Sequence, residues 1–212
     1  MLSNSNISAR TYEVLHAAYD EINAVLLEGK LPPVMLTLTR KRGAHGFFHA
    51  EQFRLRGEEE DGEGGLHEVA LNPQTMGRSA REVLSTLAHE AVHVWDQEFG
   101  EVPASGHGKT WAAKMDEIGL TPTSTGQPGG KRTGRKVTHM IVDGGPFDAW
   151  CADFLQRNPD AIGIFAVTKA AGERKKDLSK VPFQCPCCSA KVWGKSTIRV
   201  VCGECDATME AV

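Results

Sequence analysis

The sequence predicts an α+β fold: helices packed on a short antiparallel sheet, with a four-cysteine metal module at the C-terminal end. Three observations predict it. An amphipathic N-terminal segment is followed by alternating apolar and polar runs, then by a strongly apolar helical segment. That second helical segment contains His89-Glu90-Ala91-Val92-His93. Beyond residue 180, two Cys-x-x-Cys pairs are separated by 13 residues. A chain of 212 residues, 41% of them hydrophobic, can bury one good core plus a small appended module. The expected domains are 1–168, with its core in 8–120 and a flexible basic loop at 121–136, a basic linker at 169–180, and the cysteine module at 181–212.

Residues 9–28 read as a helix with Leu15, Tyr19, Ile22 and Leu26 on one side. Val34 to Arg40 alternates and reads as a strand; Gly46 to Phe53 and Leu66 to Leu71 read as two more. The acidic run Glu58 to Glu63 between them reads as a solvated hairpin loop. Asn72-Pro73 makes a turn, and Ser79-Ala80-Arg81-Glu82 has the form of a capping box opening the next helix. Val83, Leu84, Leu87, Ala88, Ala91, Val92 and Trp95 follow at helical spacing, and Gly100 is the expected stop. Trp111, Met115 and Ile118 mark a second amphipathic stretch. Thr121 to Lys136 is rich in Gly, Pro, Thr and basic residues and reads as a loop. Thr138 to Val142 reads as a strand, Phe147 to Gln156 as a helix, and Ile162 to Val167 as a further strand.

Histidines four apart on a helix share a face, roughly 5–6 Å apart at Cβ. His89 and His93 can therefore reach one zinc ion at roughly 2.0–2.1 Å, with Glu90 placed to take a proton from water. Both imidazoles lie on a mostly apolar helix, where polar groups need partners, and a metal gives one to each. A catalytic zinc site of the zincin kind has three protein ligands and an open position. A metzincin would have glycine at 96 and histidine at 99; Asp96 and Phe99 stand there. Glu98, Glu101 and Glu117 are candidates for the third ligand. His107 is the better one, because Gly106 and Gly108 let backbone approach closely and an amphipathic stretch follows. His139, Tyr12 and Tyr19 stay open as oxyanion-stabilising groups. By themselves these residues read as a candidate zinc hydrolase, with Glu90 taking the proton from water as general base. Together with the resemblance that follows, the leading reading becomes a zinc-dependent endopeptidase acting on protein substrates.

Thr86-Leu87-Ala88-His89-Glu90-Ala91-Val92-His93 with Gly106-His107-Gly108 resembles the SprT-like metalloprotease domain found in Spartan proteins. Glu21 to Pro32 resembles that family's first helix and its exit, and Val69 to Pro73 the strand before its metal helix. The resemblance covers roughly residues 8–120 and extends to a C-terminal zinc ribbon. It implies zinc ligands at His89, His93 and His107, a general base at Glu90, and proteolysis near DNA, as in removal of proteins crosslinked to it.

In the module, Cys185, Cys188, Cys202 and Cys205 have the spacing of a structural zinc site, with a strand expected at Thr197 to Val201. So the chain is expected to hold two zinc ions, one catalytic and one structural. Too few apolar residues surround the cysteines to fold without metal, whose binding contributes roughly 10–16 kcal/mol at such sites. Cys187 reads as a spare thiol and Cys151 as a packed core thiol. Asp206 and Ala207 depart from the glycine common after the last cysteine of the family's ribbon.

Charge is uneven: residues 1–130 carry 11 basic and 18 acidic groups, a net −7, and residues 131–212 carry 13 and 9, a net +4. Lys169, Arg174, Lys175, Lys176, Lys180, Lys191, Lys195 and Arg199 cluster around the ribbon and suit salt-sensitive, sequence-independent phosphate contacts with DNA. No apolar run approaches the roughly 20 residues that span a bilayer. Residues 1–10 lack a signal-peptide core, so a cytoplasmic protein with reduced cysteines is expected. Oligomeric state is not legible. An alternative reading is a non-enzymatic nucleic-acid-binding or regulatory protein, in which the ribbon acts and the histidine domain is a metal-stabilised scaffold.

Overall fold

The computed structural model describes residues 6–56, 65–101, 106–164, 166 and 180–212. It falls into two compact units, Met1–Val167 and Thr168–Val212.

In the first unit, Asn6 caps helix α1 (Ile7–Leu26) by accepting from the Ala9 N–H. Leu15, Ala18, Tyr19, Ile22 and Leu26 form its buried stripe. The helix ends where Glu28 and Gly29 turn left-handed. The Asn23 side chain then bonds both backbone groups of Leu31 and redirects the chain into β1 (Val34–Leu38). β2 (Gly46–Phe53) and β3 (Leu66–Leu71) complete a three-stranded sheet of order β1-β3-β2. β2 pairs antiparallel with β3, but β1 pairs with β3 in parallel, Val34 opposite His67 through Leu38 opposite Leu71. The α+β class holds, and the sheet is mixed rather than wholly antiparallel. A parallel pair needs a crossover connection, and here β2 with its flanking segments is that connection, laid on the far side of β3. A register shift in β2 between His49 and Phe53 leaves the Glu51 N–H to donate to His67 Nδ1.

Helix α2 (Ala80–Phe99) has the full capping box between Ser79 and Glu82 and is buried along most of its length. Arg81 ties its start to α4 (Pro146–Arg157), reaching Asp148 at 2.7 Å. Helix α3 (Lys109–Glu117) leads into β4 (Leu120–Thr123), which pairs antiparallel with β5 (Thr138–Ile141). Thr121 to Thr123 therefore belong to a strand and not to the expected loop. Pro122, without an N–H, is tolerated because this two-stranded ladder leaves each strand an outer edge. The remaining loop is tied down: Thr123 Oγ1 donates to the Gln127 carbonyl, Lys131 N–H to Ser124 Oγ, and Arg132 pairs with Asp116. The segment 162–167 forms no strand among its described residues; the Ala166 N–H donates to the Pro73 carbonyl. One core unites α1, the inner sheet face, α2, α3 and α4 around Trp111, Phe147, Phe154, Leu84, Leu87 and Ile22. Cys151 is buried there, and burial pushes its thiol up to about 11.

The second unit is a three-stranded sheet, order β7-β6-β8, of β6 (Val181–Gln184), β7 (Lys191–Gly194) and β8 (Glu210–Ala211). The strand expected at Thr197 to Val201 is absent; only Val201 makes a bridge, to Thr208. Val192 and Trp193 form the ladder with β6 instead, directly after the first cysteine knuckle. Its small core is Phe183, Cys185, Cys202 and Met209. Four buried residues offset little of the chain entropy of ordering some thirty, and the clustered cysteines are the groups that could add a stabilising tie. The acidic run 58–63 and Lys169, Arg174, Lys175 and Lys176 lie outside the described residues. Among the described residues no helix is long and apolar enough to cross a membrane.

Candidate metal centre and cleft

α2 presents His89 and His93 on one face, ring centroids 5.1 Å apart. His107, just before α3, closes the triangle at 5.5 Å from His89 and 4.7 Å from His93. One donor nitrogen from each of the three lies within 4.8 Å of the others. Glu98, Glu101 and Glu117 are not in this group: Glu98 accepts from His67 Nε2 at 2.9 Å, and Glu117 accepts from the buried Lys114.

Two devices aim His107. Thr110 donates to the buried Asp96 carboxylate and so ties the first turn of α3 to α2. His107 Nδ1–H donates to the Gly134 carbonyl at 2.8 Å, while the Gly134 N–H donates back to the His107 carbonyl. A carbonyl only accepts, so the proton is on Nδ1 and Nε2 is the donor atom available to a metal. The floor is Trp111, fully buried, stacked on His93 at 5.2 Å and edge-on to His89 and His107. Its indole N–H is buried and has no hydrogen-bond partner among the described residues.

Glu90 is buried beside the histidines and lines a cleft of about 780 Å³ between α2, β2 and the segments 41–45 and 135–139. β2 passes so close that a Cβ on Gly46 would stand 2.9 Å from Glu90 Oε1 and 2.8 Å from the Ala70 carbonyl oxygen. Asn72, read from sequence only as a turn residue, organises that loop by donating to the carbonyls of Lys41 and Ala44.

Burial pushes the Glu90 carboxyl up to about 8, with Lys41 pulling it part of the way back. Burial also drives the imidazoles down: His89 well below its ordinary value, with His93, His139 and His107 adding to the effect, and His93 to about 3. His107 is lowered by burial and partly restored by the Gly134 carbonyl. All three are neutral near pH 7, the protonation state a metal binds. A cation in their midst would draw the Glu90 carboxyl back down. Three neutral imidazoles converging beside a buried carboxylate fit a cation with an open coordination position.

His139, on β5, lies against the cluster: its Nδ1 is 3.0 Å from His89 Nδ1 and its Nε2 2.9 Å from Ser85 Oγ. Tyr19 donates to the Pro32 carbonyl from within the core, and neither Tyr19 nor Tyr12 lines the cleft. Ser85 stands one helical turn before His89 on α2, but its contact with His139, like that of Gly134 with His107, joins residues distant in sequence and has no local signal.

In the second unit the sulfurs of Cys185, Cys188, Cys202 and Cys205 lie within 4.8 Å of one another. Cys187 is exposed and stands outside the group, but its N–H donates to Cys185 Sγ. That bond and one from the Cys188 backbone, the larger effect, lower the Cys185 thiol to about 7, while the neighbouring thiols push Cys205 up to about 12. Opposite shifts of this kind are what thiols converging on one point show when they share their protons.

The model of the SprT-like family matches residues 15–132, which include His89, Glu90, His93 and His107 and stop short of His139 and the cysteines. No curated protein and no solved structure matches the chain.

Proposed function

The chain belongs to the SprT-like family, and on that premise we propose that it is a zinc-dependent endopeptidase. The observation that carries the reading is the convergence of His89, His93 and His107 beside a buried Glu90 that opens onto the cleft. His89, His93 and His107 would hold a zinc ion, which would supply Lewis acidity toward a water and a peptide carbonyl. Glu90 accepts the proton of the attacking water and passes it to the departing amide nitrogen. β2, running along the cleft with Phe47 and Phe48, offers the extended surface against which a substrate strand lies. A scaffold needing only structural metal has no use for a carboxylate desolvated at the mouth of a cleft, so the non-enzymatic reading accounts for less.

The test is Glu90→Gln: full zinc content with cleavage of an unstructured protein such as casein abolished. Unchanged cleavage by that variant would refute the assignment. Two zinc ions per chain are expected, one at each cluster.

The finer proposal is that the substrates are proteins associated with or crosslinked to DNA. The family resemblance supports it. So does charge: Lys41, Arg135 and Lys136 line the cleft itself, and Lys180, Lys191, Lys195 and Arg199 are exposed on the second unit. Titration of labelled single- and double-stranded DNA against rising salt is expected to give a negative log–log slope. Absence of binding at low salt would remove DNA from the proposal.

A further inference from the structure

The geometry points to His139 and Ser85 as positioning residues that hold His89 in the one tautomer able to ligate metal. The inference rests on the reading of the three histidines as a metal site.

Proton accounting along the chain of contacts gives the direction. Ser85 Oγ lies 2.9 Å from the Glu82 carbonyl, within α2. A carbonyl only accepts, so the single Ser85 proton points at Glu82. Ser85 Oγ is therefore an acceptor toward His139 Nε2, 2.9 Å away, and that nitrogen carries the His139 proton. His139 Nδ1 is then a bare lone pair, and at 3.0 Å it accepts from His89 Nδ1–H. The lone pair of His89 is left on Nε2.

The opposite direction fails twice. If Ser85 donated to His139, the Glu82 contact would lose its proton. His139 Nδ1–H would then donate to His89 Nδ1, placing the His89 proton on Nε2 and removing its ligand lone pair. Only one direction satisfies each contact and leaves a metal-binding nitrogen. The partner of His89 comes from β5, the partner of His107 from the loop before it, so β4, β5 and their connection orient two of the three candidate ligands. With both nitrogens engaged, His139 is not free to meet an oxyanion.

The first measurement is the side-chain nitrogen NMR of the metal-free full-length chain. Protonation of His89 at Nδ1 and of His139 at Nε2 is expected; the reverse pair of tautomers would overturn the inference. The second is metal affinity. Cobalt and zinc competition titrations separate the two clusters, because thiolate charge-transfer absorption reports only the cysteine site. His139→Phe keeps the ring and removes both nitrogens, and should weaken the histidine site about 10–100-fold while the cysteine site, in the other unit, keeps its affinity. Unchanged helical circular dichroism and thermal midpoint of the first unit are the control for folding. His139→Asn puts an amide oxygen near the place of Nδ1 and should recover most of the affinity. Wild-type affinity in His139→Phe, or Asn no better than Phe, would also overturn it. A wild-type chain that takes no metal at the histidines refutes the metal-site reading instead, and the tautomer measurement still decides the direction of the hydrogen bonds.

Discussion

Gly46→Ala sets two opposed effects against each other, and the structure decides between them. Gly46 does not have a positive φ, so alanine fits its backbone. In open space the change would stabilise by about 0.4–1 kcal/mol through the unfolded chain. Gly46 is not in open space: a Cβ would stand 2.8 Å from the Ala70 carbonyl oxygen, 2.9 Å from Glu90 Oε1 and 3.0 Å from Thr86 Cγ2. The first neighbour is backbone in the β2–β3 ladder and the third is packed on α2, so neither yields without moving β2. Overpacking of this kind costs about 1–3 kcal/mol, which outweighs the entropic gain. At about 2–4 °C per kcal/mol for a chain of this size, the melting temperature should fall by several degrees. The remaining neighbour is the proposed base. Displacing it by a fraction of an ångström should lower kcat/KM by about 10–100-fold, since misplacement by about 1 Å costs on the order of a hundredfold. Zinc content should not change, because no histidine is touched. Differential scanning calorimetry, metal analysis and a casein assay read the three quantities. A variant that melts at or above the wild-type temperature with wild-type turnover would refute the close approach of β2 to Glu90.

Ser79→Ala removes the cap that accepts the Glu82 N–H and should cost about 1 kcal/mol, read as a lower urea midpoint with kcat unchanged. Stripping metal with a chelator should unfold the cysteine unit, whose buried core among the described residues is Phe183, Cys185, Cys202 and Met209, exposing 180–212 to trypsin while α1 to α4 keep their circular dichroism. Glu21 accepts two bonds from Arg157 and one from Trp150, and the Arg157 bond is the main reason its carboxyl lies below the ordinary range. A depressed carboxyl stabilises fully above its unfolded pKa and loses that contribution as pH falls through the folded one. The stability gap between wild type and Glu21→Gln should therefore close on the acid side of the ordinary glutamate range, as urea midpoints against pH will show; a gap that persists into strong acid would contradict it.

The local signals in the chain carried much of the fold. The capping box at Ser79–Glu82 and the apolar period behind it located α2 to the residue, because a cap and a 3.6-residue stripe are local physics. The four-residue spacing of His89 and His93 follows from the same helix, and the Cys-x-x-Cys spacing brings its sulfurs together whatever surrounds them. Pairing was less legible. Nothing local says that β1 joins β3 in parallel, since that choice is made by which edge the inner sheet face can bury against α1 and α2. Thr121 to Thr123 read as loop because Gly, Pro and Thr dominate there, yet the partner strand Thr138–Ile141 makes a ladder of them.

By itself, then, the sequence determined the residue types of the centre and the one helix that pairs two of them, because both are set within a few turns of chain. Tertiary structure alone decided the rest. It brought His107, and none of the three candidate carboxylates, beside His89 and His93 by tying α3 to α2 through Thr110 and Asp96, and it brought β5 across so that His139 bonds His89 from 50 residues away. It also laid β2 against Glu90, a contact that only a glycine at 46 permits. Those contacts join segments that meet only once the core has closed, so no window of sequence contains them.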